Sequence, residues 1–140
     1  MGVQSTVVFA DLFGSTGVFE TVGNAKATEV VTRITAWVAD KFTAKGGRVV
    51  KFLGDGVLAV FHDSHDAIVA VVEMQRAYQQ QLAQLPIGCY MPLRIGVVRG
   101  DVEMVDEDCY GDAVNIAARL SELTGPHQIW VNEAAIESQP

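Results

Sequence analysis

Apolar positions along the chain follow two rhythms, one of strand period and one of helix period. Ser5 to Leu12 is a Val- and Phe-rich run of strand length. The small polar turn Phe13-Gly14-Ser15-Thr16-Gly17 then opens a short helix, which Gly23-Asn24 breaks. From about Lys26 to Lys45, apolar residues at Ala27, Val30, Val31, Ile34, Trp37, Val38 and Phe42 form one stripe of a helix. Gly46-Gly47 ends it. Arg48 to Leu53 and Val57 to Phe61 read as two strands joined at Gly54-Asp55-Gly56, a hairpin with Asp55 at its tip. A second long helix spans about Ser64 to Gln84, with Ala67, Val71, Met74, Tyr78, Leu82 and Leu85 inward and Gln79-Gln80-Gln81 solvated. Leu93 to Val98 is the fourth strand, and Val102 to Val105 a further extended piece. Gly111 to Leu123 is a third helix, with Ala113, Ile116, Ala117, Leu120 and Leu123 inward and Gly125-Pro126 as its stop. Gln128 to Val131 forms a last strand.

The order βαββαβ, followed by a helix and a strand, predicts an α+β fold. Its core is a ferredoxin-like split β-α-β, with helices on one face of an antiparallel sheet. In that topology the first strand lies beside the third, and it ends on the side of the hairpin tip. Asp11 and Asp55, far apart in sequence, are therefore expected to meet at one sheet end.

Composition narrows the field. The 140 residues suit one domain, and 49% apolar with 19% charged residues is an ordinary globular balance. A net charge of −7 disfavours general nucleic-acid binding, though not a nucleotide site, where metal ions offset local charge. Cys89 and Cys109 are too few for a disulfide framework. The N-terminus lacks the basic and long apolar segments of a signal peptide. No run approaches the about 18 apolar residues of a membrane helix. The expectation is a soluble, cytoplasmic domain.

Several groups could carry chemistry, and each has a plainer reading beside it. Two carboxylates converging at a sheet end suit Mg²⁺, which takes one or two carboxylates plus waters and substrate phosphates. Alternatively Asp11 caps a helix and Asp55 is a turn residue. The Gly14-Ser15-Thr16 turn exposes backbone N–H groups to anions but lacks the Gly-Lys-Ser/Thr ending of a Walker loop. Lys51 stands in an otherwise apolar strand, where it either snorkels to solvent or meets a partner. Asn115 and Arg119, four apart, share one helix face and offer a hydrogen bond and a planar fork suited to phosphate. They equally suit a solvated helix face. Asp108 precedes that helix in the acidic stretch Asp106-Glu107-Asp108. His62, His65 and His127 show no metal-ligand spacing and read as surface residues, and no Ser-His or Cys-His nucleophile stands out.

Four segments together resemble a known family. Phe9-Ala10-Asp11-Leu12-Phe13-Gly14-Ser15-Thr16 is similar to the opening motif of class III adenylyl and guanylyl cyclase catalytic domains. Lys51-Phe52-Leu53-Gly54-Asp55 resembles their hairpin motif, and Leu93-Arg94-Ile95-Gly96 their fourth strand. The run from Asp108 to Leu120 resembles the segment with their transition-state residues. The resemblance covers nearly the whole chain, 1–140, and implies one palm-type cyclase domain. It implies that Asp11 and Asp55, with the Leu12 carbonyl, hold two Mg²⁺ or Mn²⁺ ions. Backbone from Phe13 through Gly14 and Ser15 to Thr16 would cradle phosphates. Lys51 and Asp108 would read adenine, Asn115 orient the ribose, and Arg119 stabilise transition-state charge. Arg94 would contact phosphate.

The resemblance further implies ATP as substrate and a homodimer whose two sites each take metals from one chain and the other groups from its partner. It leaves room for a regulatory domain on the same polypeptide. Two departures qualify the likeness. The stretch from Arg94 to Gly111 is short, and the family usually continues past the equivalent of Pro140 with further strands and a phosphate-binding lysine. The C-terminal part is thus read as truncated. Alternatives are a catalytically silent cyclase-like nucleotide-binding or dimerisation module, or a guanylate cyclase, which Lys51 and Asp108 disfavour. A diguanylate cyclase would need a Gly-Gly-Asp/Glu-Glu-Phe tip that Leu53-Gly54-Asp55-Gly56 lacks. Because Lys51 and Asp55 lie only four residues apart, a site within one chain is also conceivable.

Overall fold

A computed structural model describes residues 3–137. In chain order the elements are β1 (Val3–Leu12), α1 (Ser15–Val22), α2 (Asn24–Ala44), β2 (Arg48–Leu53), β3 (Gly56–Phe61) and α3 (Ser64–Ala83). Then come β4 (Leu93–Val105), β5 (Asp108–Tyr110), α4 (Asp112–Leu123), β6 (Ile129–Val131) and α5 (Glu133–Glu137). The strand order β2-β3-β1-β4-β5 is that of the expected split β-α-β core, with β6 added beside β4.

β1 is central because both its faces are apolar. Val8, Ala10 and Leu12 point into one core, Val7 and Phe9 into the other, and all are buried. Helices α2 and α3 close the first core with Val30, Ile34, Val38, Phe42, Val71, Met74 and Tyr78. Helix α4 closes the second with Ala113 and Ala117, over Leu58, Val98 and Val102. Helices therefore cover both faces, the two core helices on one and α4 on the other. The β6 strand joins β4 in parallel, so the sheet is not wholly antiparallel.

Besides helices on both faces and a parallel strand, where the pattern predicted one face and an antiparallel sheet, three further expectations are revised. The pieces 93–98 and 102–105 are one strand, because β4 pairs with β1 in unbroken register from Val3 opposite Val102 to Leu12 opposite Leu93. The acidic stretch is a two-residue hairpin turn, with Asp106 and Glu107 at φ 51° and 67°, and it returns the chain as β5. On α4, Ile116 and Leu123 face outward, 46% and 63% exposed. The reason lies under the helix. A Cβ on Gly96 would meet the Ala117 carbonyl oxygen at 2.7 Å and Leu120 Cβ at 3.0 Å. The helix lies so close to the sheet that only small residues fit its inner stripe, which rotates the larger ones away.

Both cysteines are buried and free. The three histidines are exposed, and His127 bonds to Tyr90 and Gln79. Among the described residues no helix is long and apolar enough to cross a membrane.

Candidate active site

The register of β1 builds the first half of the site. Asp11 stands opposite Gly56 of β3 on one side and Arg94 of β4 on the other. Asp55, one residue before Gly56, is thereby brought beside Asp11, as the topology required. Asp11 is 7% exposed. Its Oδ1 accepts the Leu12 amide at 2.9 Å. Its Oδ2 accepts Arg94 Nε at 3.2 Å and Nη2 at 3.0 Å. Burial, and next the Asp55 carboxylate beside it, push the Asp11 carboxyl from 3.8 to about 7, against the opposing pull of Arg94. A carboxyl whose ionisation is made costly by burial and by a second carboxylate beside it has the chemistry of a hard-cation site. Among the described residues no three His, Cys, Asp or Glu side chains cluster as a metal cage. Two carboxylates and a carbonyl at the end of β1 would leave the rest of an octahedron to water and substrate oxygens, so the residues fit Mg²⁺ or Mn²⁺ bound with its substrate.

The small turn after β1 forms the wall of this corner. Gly14 precedes α1 at φ 83°, a left-handed conformation that favours glycine, and no side chain caps the helix. Ser15 and Thr16 of its first turn, with Phe19, Val31, Gly54 and Asp55, line a cavity of about 430 Å³. The N-terminal turn of α1 and the Asp55 carboxylate therefore open onto the same space. Phe13 is displayed differently. Its ring is 43% exposed and lies under the Arg94 guanidinium, 5.6 Å from ring centroid to Cζ.

Lys51 and Asp108 meet although they come from β2 and β5, at the two ends of the strand order. A β-bulge between Val49 and Lys51 sets Lys51 opposite Leu58, on the α4 side of the sheet. The β4–β5 hairpin reaches over to the same place. Lys51 Nζ lies 2.8 Å from Asp108 Oδ1 and donates to Oδ2 at 2.9 Å. The Cys109 amide donates to Oδ1 at 2.8 Å and fixes the carboxylate plane. The hydrogen bond to Asp108 raises the lysine's pKa, and the bond from Lys51 lowers that of the aspartate, so both are held charged. Both side chains stay about one-third exposed, 36% and 30%, and remain open to a ligand.

Asn115 and Arg119 point out from α4 and, with Asp112 and Ile116, line a separate hollow of about 190 Å³. Neither side chain has a hydrogen-bond or ion-pair partner among the described residues. Within one chain the cavity beside Asp55 and the hollow beside Arg119 share no lining residue. Sequence reasoning missed two features, the Arg94–Asp11 ion pair and the Arg94 Nη1 bond to the Glu122 carbonyl at 3.1 Å. The signal for the first was available. Arg94 interrupts an apolar strand, and strand alternation places it on the same face as Asp11.

Comparison with known proteins fits this geometry. Residues 3–139 match the family described as adenylate and guanylate cyclase catalytic domain. The adenylate cyclase of Streptomyces coelicolor is 31% identical over 133 residues, spanning 94% of this chain and 33% of that protein. The crystal structure of an adenylate/guanylate cyclase/hydrolase from Silicibacter pomeroyi superposes with a TM-score of 0.80 at 30% identity, covering 98% of this chain and 79% of that one. That of the guanylyl cyclase Cya2 does so with 0.84 at 25% identity, covering 99% and 80%. The chain spans 16% to 33% of the length of its curated relatives from Rhizobium meliloti, Mycobacterium tuberculosis and Streptomyces coelicolor. With a match over almost its full length, the chain belongs to the adenylate and guanylate cyclase catalytic domain family.

Proposed function

We propose that the chain is one catalytic domain of an adenylate cyclase, converting ATP to 3′,5′-cyclic AMP and pyrophosphate at two sites shared across a homodimer. The observation that carries the substrate choice is the Lys51–Asp108 pair. Adenine presents a donor at its 6-amino group and an acceptor at N1. A carboxylate beside an ammonium matches that order, with Asp108 accepting from the amine and Lys51 donating to N1. Guanine in the same pose reverses both, setting oxygen against Asp108 and N–H against Lys51. The named activity of the Streptomyces relative points the same way.

Cyclisation is attack of the ribose 3′-oxygen on the α-phosphorus with pyrophosphate leaving. It needs no covalent enzyme intermediate, only alignment and charge stabilisation. Two Mg²⁺ or Mn²⁺ ions bound by Asp11, Asp55 and the Leu12 carbonyl would supply activation of the 3′-oxygen and neutralisation of the leaving group. The backbone N–H groups of Gly14, Ser15 and Thr16 receive the phosphates, whereas that of Phe13, expected to join them, is taken by the Pro92 carbonyl at 2.8 Å. Asn115 orients the ribose through its amide, and the Arg119 fork takes the charge that builds on the phosphoryl oxygens.

The separation of these groups within one chain supports the shared site. Asn115 and Arg119 line a hollow apart from the Asp55 cavity. A partner related by a two-fold axis can bring its own Asn115 and Arg119 over that cavity. The reading places the domain in the cytoplasm, where ATP and Mg²⁺ are found. The experiment is direct: supply ATP and GTP separately with Mn²⁺ and identify the cyclic product. Cyclic AMP as the main product supports the reading. Cyclic GMP would make the chain a guanylate cyclase, and no product at high protein concentration would make it a silent module.

A further inference from the structure

The Arg94 guanidinium is held on every side. Nε and Nη2 both donate to Asp11 Oδ2, Nη1 donates to the Glu122 carbonyl, and the plane lies over the Phe13 ring. Glu122 lies in the last turn of α4, where helical carbonyls have no donor within the helix, so Arg94 supplies one. The side chain is 20% exposed and its Asp11 partner 10%. Asp11 Oδ1 accepts one bond, from the Leu12 amide, and Oδ2 accepts two, both from Arg94, so a cation that takes Oδ2 must displace Arg94.

We propose that Arg94 is a positioning residue that stands in for the divalent cation at Asp11. It neutralises and orients the carboxylate while metal is absent and must leave Oδ2 when metal arrives. The inference rests on the metal role of Asp11 proposed above. The arrangement has an energetic logic. Asp11 and Asp55 repel each other, and Arg94 relieves part of that repulsion in the metal-free protein. A divalent ion approaching Oδ2 meets both a competitor for the oxygen and a like charge. The bare protein therefore binds metal weakly. A metal arriving with a triphosphate brings an anion to which the displaced guanidinium can turn. Metal occupancy is thereby tied to substrate occupancy.

The test needs no turnover. Free Mn²⁺ is titrated against the whole chain by electron paramagnetic resonance, without nucleotide, at pH 8. Arg94→Met keeps a long side chain over Phe13 but removes the charge, and it is expected to bind Mn²⁺ about tenfold more tightly than the parent. Proton competition at Asp11 rises too, but a doubly charged ion gains about twice what a proton gains when a neighbouring cation is lost. Arg94→Lys keeps charge without the fork and should fall between. Equal or weaker binding by a folded Arg94→Met overturns the inference. Should that variant fail to fold, the parent decides by ¹⁵N NMR. The Arg94 Nε–H, bonded to Asp11, should exchange slowly with solvent and lose that protection as Mg²⁺ is added. Protection unchanged at saturating Mg²⁺ overturns the inference. Asp11→Asn separates the two ideas. Mn²⁺ binding that survives Asp11→Asn removes the metal assignment and this inference with it. Binding lost in Asp11→Asn but not raised in Arg94→Met removes only the role of Arg94.

Discussion

Asp11 should cost the metal-free protein stability, and the cost should depend on pH in a defined way. Its carboxyl is raised from 3.8 to about 7 in the folded state, so folding favours the protonated form. Stability from this group is complete below about 3.8, declines as pH rises toward 7, and is lost above it. The distance between 3.8 and about 7 corresponds to about 4 kcal/mol at pH 8. Asp11→Asn keeps the shape and the acceptor for the Leu12 amide but removes the charge. It gives up the Arg94 ion pair, whose pull is already included in the net rise. We therefore expect Asp11→Asn to be more stable than the parent at pH 8 by about 2–4 kcal/mol, raising Tm by roughly 5–12 °C. At pH 4 the advantage should shrink to well under about 1 kcal/mol. The assay is thermal or urea unfolding with a chelator present, across pH 4 to 8. In a parallel series with Mg²⁺ in place of the chelator, the ion should stabilise the parent and not the variant. An Asp11→Asn protein no more stable than the parent at pH 8, or with an advantage independent of pH, would refute the argument that burial and Asp55 strain this carboxylate.

Two further predictions concern specificity and packing. Lys51→Glu with Asp108→Cys removes the donor and acceptor matched to adenine, and the preference for ATP over GTP should fall by tenfold or more, since each mismatched polar reader costs about 1–3 kcal/mol. Competition assays with both nucleotides read this directly, and an unchanged ratio would take the base-reading role from the pair. Gly96→Ala drives a Cβ to within 2.7 Å of the Ala117 carbonyl oxygen and should cost about 2–3 kcal/mol in urea unfolding. It should also lower turnover, because α4 carries Asn115 and Arg119, and wild-type stability in this variant would mean that α4 does not lie so close to β4.

Much of this was legible in the sequence because it follows from alternation and topology. The order of elements required Asp11 and Asp55 to converge, and the β1–β3 register brings them together. The stripes of α2 and α3 were readable because those helices bury large residues at regular spacing. Most of the errors come from contacts between distant segments, and one from a local turn conformation. The α4 helix rolls outward at Ile116 and Leu123 because Gly96 of β4 admits only small residues beneath it. The acidic turn hid β5 because Glu107, beside Asp106, adopts a left-handed conformation that its residue type does not advertise. Nothing in local spacing pairs Lys51 with Asp108, which stand 57 residues apart and meet only because the β4–β5 hairpin folds over β2. For that pair the resemblance named both residues, and the fold brings them into contact.

The central claim is a cyclase site assembled from two chains, and mixing two dead proteins tests it most directly. Asp11→Ala removes a metal ligand, and Arg119→Ala removes the group that takes transition-state charge. In a shared-site heterodimer one site carries both lesions and the other carries neither. The account predicts that each variant alone forms no cyclic AMP from ATP and Mn²⁺. Their equimolar mixture should recover about a quarter of parental activity, because random pairing puts half the dimers in the mixed form with one intact site each. Measurement at high protein concentration ensures assembly. A mixture shown to contain heterodimers that stays inactive would contradict the account.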